Sequence, residues 1–411
     1  MTNEISVDIW KVQSRSVPAA CVHDNKVYYW RGIIDDCGIP FATSDNTTDE
    51  VDVFDISTGT WTVHVTKGSI PKGELCVPMC AIWNQLFVFG GWRGRQRRPQ
   101  FNNNAIHSLN LNTMIWEHLV ASNPQESPMV KGMCGMVEHD GTLCIFGGEG
   151  INEDQKTDGL TNELHVFDPM SKMWSKPAIT GVPPLPCARF TMTKIDSHRA
   201  LIFGGTHLMG PSSEIHILDM NSWHWSGAIG RLRPEDPWPA CRQYHSTCCL
   251  VNPSSVGHDI GNEKQLSQKV LVLWGVDHFL TTVDDAWILD VDTLQWTKFD
   301  YPINHGPRVG AAISPLYGTT SACDTQVLCF GGLFRPHGEE LVANVTVMEF
   351  GIKPLSTCCM KFIVDHMDMF QHKLHYLPSH LVASLLCYEK LKHSLNNCFL
   401  TAQNVYYMYD D

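Results

Sequence analysis

The chain has 411 residues, of which 43% are hydrophobic and 10% aromatic, and its formal net charge is -13. An acidic balance of this size argues against a general affinity for nucleic acids or anionic membranes, so any basic site must be local. The N-terminal residues lack a basic segment followed by an apolar run, and no run of about 18 apolar residues occurs anywhere. Neither a signal peptide nor a membrane span is therefore expected.

The 16 cysteines are scattered along the chain, often inside strand-like apolar runs, as at Cys144 and Cys329. None of them forms the C-x-x-C pairs that structural zinc sites use, so no metal site is expected. In a chain without a secretory signal, such cysteines are typical of reduced, buried thiols. This composition favours a protein of the cytoplasm or the nucleus.

A short apolar run that ends in two glycines, followed by a second strand-like run and an aromatic residue, recurs along the chain. The second glycines of the clear copies are Gly91, Gly148, Gly205 and Gly332, and the first two intervals are both 57 residues. Weaker copies occur at Trp30-Arg31-Gly32 and at Trp274-Gly275. The tryptophans that close units one to five are Trp61, Trp116, Trp174, Trp225 and Trp296. Six units of four short strands predict an all-β fold, a six-bladed β-propeller.

Each part of this repeat has a predicted structural role. The glycines can adopt positive φ and allow close backbone approach, and each tryptophan supplies a large apolar plate between neighbouring units. The sixth unit lacks a fourth strand, and residues 7–12 resemble the strand around Trp296. We therefore predict that this N-terminal segment completes the sixth unit and closes the ring, which would remove a free sheet edge. The extra residues of the fifth unit, 252–269, are polar and are expected to form a surface loop.

The units resemble the kelch repeat, whose signature is an apolar run into Gly-Gly and then a spaced aromatic residue and tryptophan. The resemblance covers residues 5 to 350 and implies a propeller domain over residues 1–352. It leaves function open, because such propellers serve both as enzymes and as binding modules.

One basic residue stands just before the first strand of each unit. These residues are Arg15, Lys72, Lys131, Arg189, Arg242 and Arg308. If they occupy equivalent places, six cations converge at one end of the propeller axis and would attract an anion, since arginine binds carboxylates in a bidentate manner. The alternative is structural: the side chains would tie neighbouring loop carbonyls together. Under the binding hypothesis, alanine at Arg189 or Arg242 weakens peptide binding and leaves stability nearly intact.

Further candidate binding residues lie close to this set. Gln243 and Tyr244 follow Arg242 and could supply hydrogen bonds and an aromatic wall. The loop that begins at Trp92 and Arg93 contains four arginines and is either a flexible binding loop or a solvated surface loop. No nucleophile motif, and no histidine spacing typical of a metal centre, indicates catalysis.

After Phe350 the apolar residues recur at helical steps, which predicts helices in residues 353–390, followed by a tail at 391–411. Residues 354–363 resemble the elongin-binding box, in which a small residue or proline precedes leucine, cysteine follows four residues later and an apolar residue four after that. Here these are Leu355, Cys359 and Ile363. Leu377, Pro378 and Leu381 resemble the cullin-2 box. The alternative is that the helices only cap the propeller.

Together these motifs resemble the kelch-domain substrate receptors of cullin-2 RING ubiquitin ligases. The resemblance implies that the C-terminal boxes bind elongin B/C and cullin-2, and that the propeller holds a degron peptide of a substrate protein. Residues 206–209 stand where members that prefer glycine-ended tails have arginines, and Gln243-Tyr244 replaces their Ser-Trp. A C-terminal carboxylate and an internal acidic segment both remain open as the degron. The chain itself would perform no chemistry and bind no cofactor; the rival interpretation is a kelch scaffold outside any ligase.

Overall fold

The computed structural model describes residues 5–6, 18–30, 49–71, 76–93, 100–101, 103–152, 157–231, 233–251, 268–299, 307–317, 325–334, 340–341 and 345–350, and the single residues 363, 382 and 385. Apart from these last three residues, which are helical, and one 3-10 turn at Pro124–Glu126, the regular structure of the described residues is all β. None of the described helical residues belongs to a helix long and apolar enough to cross a membrane.

The first three units contain nineteen of the strands. They are β1 (Ile5–Ser6), β2 (Ala19–His23), β3 (Lys26–Trp30), β4 (Glu50–Asp55) and β5 (Thr60–Val65) in the first unit. The second unit has β6 (Lys67–Gly68), β7 (Met79–Ile82), β8 (Gln85–Phe89), β9 (Trp92–Arg93), β10 (Gln100–Phe101), β11 (Ile106–Asn110) and β12 (Ile115–Leu119). The third has β13 (Val130–Gly132), β14 (Gly135–His139), β15 (Thr142–Phe146), β16 (Glu149–Asn152), β17 (Thr157–Leu160), β18 (Leu164–Asp168) and β19 (Met173–Ser175).

The remaining strands follow the same order of short elements. The fourth unit has β20 (Thr180–Val182), β21 (Thr191–Lys194), β22 (Arg199–Phe203), β23 (Thr206–His207), β24 (Gly210–Pro211), β25 (Ile215–Asp219) and β26 (His224–Ser226). The fifth has β27 (Ser246–Cys249), β28 (Lys269–Leu273), β29 (Ala286–Asp290) and β30 (Gln295–Phe299). The sixth has β31 (Arg308–Val309), β32 (Ala312–Tyr317), β33 (Thr325–Phe330), β34 (Leu333–Phe334), β35 (Glu340–Leu341) and β36 (Val345–Phe350).

Within the described residues, each unit forms one main sheet of antiparallel neighbours. The orders are β1-β5-β4-β3-β2, β6-β12-β11-β8-β7, β14-β15-β18-β19, β20-β26-β25-β22-β21, β27-β28-β29-β30 and β32-β33-β36, with β6 and β20 added in parallel at two outer edges. The strands β2, β7, β14, β21, β27 and β32 contact one another in this order, and β32 contacts β2. Each of these six strands is the first long strand of its unit, and together they form a closed ring, called here the ring of first strands, with the sheets arranged around it.

An apolar cluster fills the space between each pair of neighbouring sheets. The predicted tryptophans lie in these clusters, and each packs its own sheet against the preceding one: Trp61, Trp116, Trp174, Trp225 and Trp296 are all at most 4% exposed. The ring of Trp225 lies 4.8 Å from that of Phe146 in the sheet before it. The role predicted for the tryptophans is confirmed.

The paired glycines adopt the positive φ angles that their sequence pattern predicts. Gly204 and Gly205 have φ of 63° and 84°. A Cβ atom at Gly205 would lie 2.6 Å from Cβ of Phe190 and 2.8 Å from the carbonyl oxygen of Ala188. Only a residue without a side chain allows this approach, because real Cβ contacts are longer.

The first strand of the chain lies at an outer sheet edge. Ile5–Ser6 pairs antiparallel with β5, at the outer edge of the first sheet. The predicted closing segment, residues 7–12, is outside the described residues, and within them the sixth main sheet has three strands. The ring of first strands is closed by contact between β32 and β2, and an apolar cluster containing Trp61 and Phe330 joins their sheets. The local sequence of a two-residue edge strand specifies its pairing only weakly, so the partner depends on which sheet edge lies nearby in the folded chain.

Candidate functional site

One end of the ring of first strands is built from residues in an unusual backbone conformation. Cys76, Met133, Arg189, Tyr244 and Gly310 have φ between 53° and 64°. Left-handed backbone costs of order 1–3 kcal/mol for a residue other than glycine and persists only where its surroundings enforce it. Within this set of five, each residue after Cys76 donates its backbone N–H to the carbonyl oxygen of the member from the preceding unit, over 3.0–3.3 Å. These hydrogen bonds fix the backbone around the end of the ring.

These same residues line a pocket of about 170 Å³, called here the mouth pocket. Its lining is mainly apolar and small, and it includes Pro18, Val77, Pro78, Phe190 and Ala311. Arg189 and Tyr244 contribute the guanidinium and the phenol. A largely apolar pocket on which a few polar groups converge is typical of a ligand-binding site.

Arg189 is held in place by two side chains. Its Nε donates a hydrogen bond to the Tyr244 hydroxyl oxygen over 2.7 Å, and its guanidinium carbon lies 5.7 Å from the centre of the Tyr244 ring. Its Nη2 pairs with a carboxylate oxygen of Glu149. The side chains of Arg189 and Glu149 are 20% and 21% exposed, and of the two only Arg189 lines the mouth pocket.

The surroundings of Arg189 keep its guanidinium charged. Burial alone would lower the pKa of Arg189, but the Tyr244 hydroxyl and the Glu149 carboxylate outweigh it, so the pKa is raised above its usual value. Burial raises the pKa of Tyr244, although Arg189 opposes the shift. Arg189 is therefore a permanent cation and Tyr244 a neutral hydrogen-bonding group near neutral pH.

The expected ring of equivalent basic residues needs a correction. The carbonyl groups of Lys131, Cys187, Arg242 and Arg308 accept hydrogen bonds from the second glycine of the preceding unit, so these four residues are equivalent. Arg189 stands two residues later, at the left-handed position that Met133 and Tyr244 occupy in their units. The sequence spacing mixed two positions, and only Arg189 of the four described cations lines the mouth pocket.

The side chain of Arg242 binds other groups of the fold, as the structural alternative predicts. Its side chain is 0% exposed, and its Nη1 and Nη2 bind both carboxylate oxygens of Asp285 over 2.6 and 3.1 Å. Nη1 also donates to the carbonyl of Trp274, and Nε donates to that of Ala240. A guanidinium with these partners is not available to a peptide.

Arg308 and Lys131 are also buried, at 1% and 0% exposure. Arg308 donates to the carbonyl of Gly331 and stacks over Trp274 at 5.6 Å, and burial lowers its pKa. Burial also lowers the pKa of Lys131, whose Nζ has no hydrogen-bond partner among the described residues. Neither side chain lines the mouth pocket.

The other predicted site residues divide into two groups. Gln243 is half-buried and bridges Val276, and Trp92 and Arg93 form a two-stranded hairpin with Gln100–Phe101. Ile363 is helical and half-buried. The remaining predicted residues lie outside the described part of the chain: Arg15, Lys72, Leu355, Cys359, Leu377, Pro378 and Leu381.

Two residues of functional interest were missed by sequence reasoning. Glu149 directly follows the glycine pair of the third unit. Asp285 directly precedes β29 and neutralises Arg242. The available signal for both was an acidic residue at a fixed distance from a repeat landmark. Among the described residues, no group of three or more His, Cys, Asp or Glu side chains could hold a metal ion.

The opposite end of the ring of first strands provides a comparison. There Lys194 Nζ binds Glu138 over 2.6 Å, with side chains 25% and 30% exposed. Both residues line a more polar cavity of about 940 Å³, together with Asp24, Asp140 and Asp196. This ion pair closely matches that of Arg189 and Glu149 in exposure, and lies at the other end.

A family model described as the KLHDC2/KLHL20/DRC7 Kelch-repeats domain matches residues 17–256 and 79–332. Among curated proteins, Kelch domain-containing protein 1 of Homo sapiens is 25% identical over 91% of this chain and 90% of its own length. Kelch domain-containing protein 2 of Bos taurus is 23% identical over 82% of this chain and 81% of its own. Kelch domain-containing protein 3 of Mus musculus is 26% identical over 47% of this chain and 49% of its own.

Proposed function

The chain belongs to the kelch-repeat family of the KLHDC2, KLHL20 and DRC7 type, and from this premise we propose that it is the substrate-recognition subunit of a cullin-2 RING ubiquitin ligase. Kelch-repeat proteins are typically interaction or adaptor proteins, and relatives over most of the chain are kelch-domain proteins. The propeller would bind a degron peptide, and the C-terminal boxes would bind elongin B/C and cullin-2. The protein would act by positioning its substrate, without a cofactor, in the cytoplasm or the nucleus.

Arg189 carries the substrate-binding half of this proposal. Its guanidinium is held at the pocket wall by Tyr244 and is partly exposed. A ligand carboxylate that replaced Glu149 would contact the permanently charged guanidinium of Arg189, already held in position, and the Tyr244 hydroxyl. Arginine binds carboxylates in a bidentate manner. A C-terminal carboxylate and an acidic side chain share this chemistry, so both degron types fit the pocket.

The architecture proposed for the binding domain is a six-bladed propeller with the six main sheets as blades. The cyclic contact of the first strands and the apolar cluster between each pair of sheets support it. In this arrangement the mouth pocket lies on the propeller axis, where loops from every blade can contact a peptide. None of the ten described cysteines forms a disulfide with another described residue.

The alternative is a kelch interaction protein outside any ligase, with its C-terminal helices as a cap. The complete burial of Leu385 fits such a cap, and it equally fits a helical box that packs on itself. The two functions differ in a partner, so a binding experiment separates them.

The double variant Leu355→Ala/Cys359→Ala is expected to reduce capture of purified elongin B/C by about tenfold or more, as for truncation of central interface anchors. Capture is measured on the immobilised full chain, with cullin-2 added in a second step. Lys361→Ala, in the same segment but without an anchor role in the resemblance, is the matched control. Capture that is absent in the wild type, or unchanged in the double variant, favours the scaffold function.

Glu149→Gln is expected to raise the affinity for peptides with a free C-terminal carboxylate by about fivefold. A partly exposed ion pair contributes on the order of 1 kcal/mol, and in the wild type the peptide must replace it. Affinities are measured by calorimetry with a library-selected peptide.

Glu138→Gln is the control for this result, since it removes a carboxylate of similar exposure from the Lys194 ion pair at the opposite end. It should leave the affinity unchanged. A fall in affinity in Glu149→Gln would mean that Glu149 positions Arg189 and does not compete with the peptide.

A further inference from the structure

Four large apolar side chains stand in solvent on two neighbouring loops, and we call them the apolar tips. Leu208 and Met209 form the turn of the β23–β24 hairpin and are 90% and 84% exposed. Phe279 and Leu280 lie in the loop between β28 and β29 and are 82% and 57% exposed. Leu208, Met209 and Phe279 are the most exposed large apolar side chains among the described residues.

The base of each loop pairs with the backbone next to Arg189 or Tyr244, called here the binding pair. Thr206, at the base of the first loop, forms an antiparallel bridge with Ala188, the residue before Arg189. Val276, at the base of the second, bridges Gln243, the residue before Tyr244. The apolar tips therefore flank the Arg189–Tyr244 pair from two adjacent sheets.

The two loops also approach each other. A Cβ atom at Gly210 would lie 3.1 Å from Nδ1 of His278, and the His278 ring lies 5.4 Å from that of Phe279. Single exposed apolar residues are ordinary, but a concentration of them beside a pocket is typical of an interaction surface. Burial of one such side chain would contribute about 1.5–3 kcal/mol, so the surface can discriminate between ligands.

We propose that the apolar tips select peptides with a large apolar side chain about two to four residues before the carboxylate that Arg189 binds. Leu208 is two residues beyond Thr206, and a strand rises about 3.3 Å per residue, so the tips stand roughly 7 Å or more above the pocket floor. An extended peptide covers this distance in about two to four residues. The same ligand thus satisfies the charge of Arg189 and covers the apolar tips. This inference rests on the proposed peptide-binding function.

The test uses short synthetic peptides with a free C-terminal carboxylate that differ only in whether leucine or serine stands three residues before the end. The leucine peptide is expected to bind the wild-type chain about tenfold more tightly. In the triple variant Leu208→Ser/Met209→Ser/Phe279→Ser the two affinities should become equal. Met170→Ser is the matched control, because Met170 is 76% exposed in the β18–β19 turn of another sheet, and the preference should persist.

Two results overturn the inference in distinguishable ways. If both peptides bind the wild type equally, or the preference survives in the triple variant, the apolar tips do not select the ligand while carboxylate recognition stands. If no peptide of this set binds, either as a free acid or as an amide, the inference fails. The proposed function fails with it if peptides that carry an internal acidic residue do not bind either. The thermal midpoint of each variant is measured alongside and should equal that of the wild type, since the replaced side chains are exposed.

Discussion

Arg242→Ala is expected to lower the free energy of unfolding by about 3–5 kcal/mol, the range for removing one partner of a buried ion pair. The variant leaves Asp285, which is 13% exposed, without its cation, and leaves the carbonyls of Trp274 and Ala240 without a donor. Unfolding by urea, followed by tryptophan fluorescence, measures the loss. Peptide affinity per folded molecule should change little, because the side chain is fully enclosed.

Lys172→Ala provides the control for Arg242. Lys172 binds Glu117 over 3.0 Å, but the two side chains are 40% and 63% exposed, so its loss should cost less than about 1 kcal/mol. Asp285→Ala in the Arg242→Ala background should cost less than Asp285→Ala alone, since the partner charge is already gone. A cost for Arg242→Ala no larger than that for Lys172→Ala would contradict the structural role.

This expectation reverses what the sequence suggested for Arg242, and the reason is physical. Intervals between basic residues could not reveal that Asp285, 43 residues away, supplies a bidentate partner inside the fold. The unequal intervals from Lys131 to Arg189 and from Arg189 to Arg242 already indicate that the three basic residues do not occupy equivalent positions of the repeat. Met133, Arg189 and Tyr244, which all have positive φ, are spaced almost evenly and occupy the same position in successive units.

The repeat itself could be predicted because its signals are local and steric. Gly204 and Gly205 must adopt positive φ to pass Phe190 and Ala188, and only glycine does so without strain. Trp225 is 1% exposed and packs in the apolar cluster between its own sheet and the preceding one, so its large apolar surface is removed from water. Such requirements recur in most units and are therefore visible as a period in the sequence.

The binding pair could be predicted only in part. Arg189 and Tyr244 were candidates because they stand near the first strands, but their mutual hydrogen bond joins two units 55 residues apart. Glu149 comes from a third position in the chain, and its place directly after a glycine pair does not reveal that its carboxylate pairs with Arg189. The edge pairing of Ile5–Ser6 was likewise beyond the local pattern, because it depends on which sheet edge the folded chain presents.

Arg189→Gln is the second variant with a large expected effect, a loss of about 10- to 100-fold in affinity for free-acid peptides. A hydrogen bond to a charged group contributes about 1.5–3 kcal/mol, and glutamine keeps the polarity of the side chain but not its charge. Stability should be nearly preserved, because the side chain is partly exposed and its Glu149 partner can be hydrated. Lys194→Gln, at the opposite end of the ring of first strands, is the matched control and should bind peptides like the wild type.

The most direct test of carboxylate recognition at the mouth pocket compares each selected peptide as a free acid and as a C-terminal amide, on the wild type and on Arg189→Gln. For a C-terminal degron, the free acid should bind the wild type at least tenfold more tightly than the amide, and Arg189→Gln should abolish the difference. For an internal acidic degron, amidation should have no effect, and replacing the acidic residue of the peptide should cost the same affinity as Arg189→Gln. Binding that responds neither to the removal of acidic groups from the peptide nor to Arg189→Gln would contradict the account.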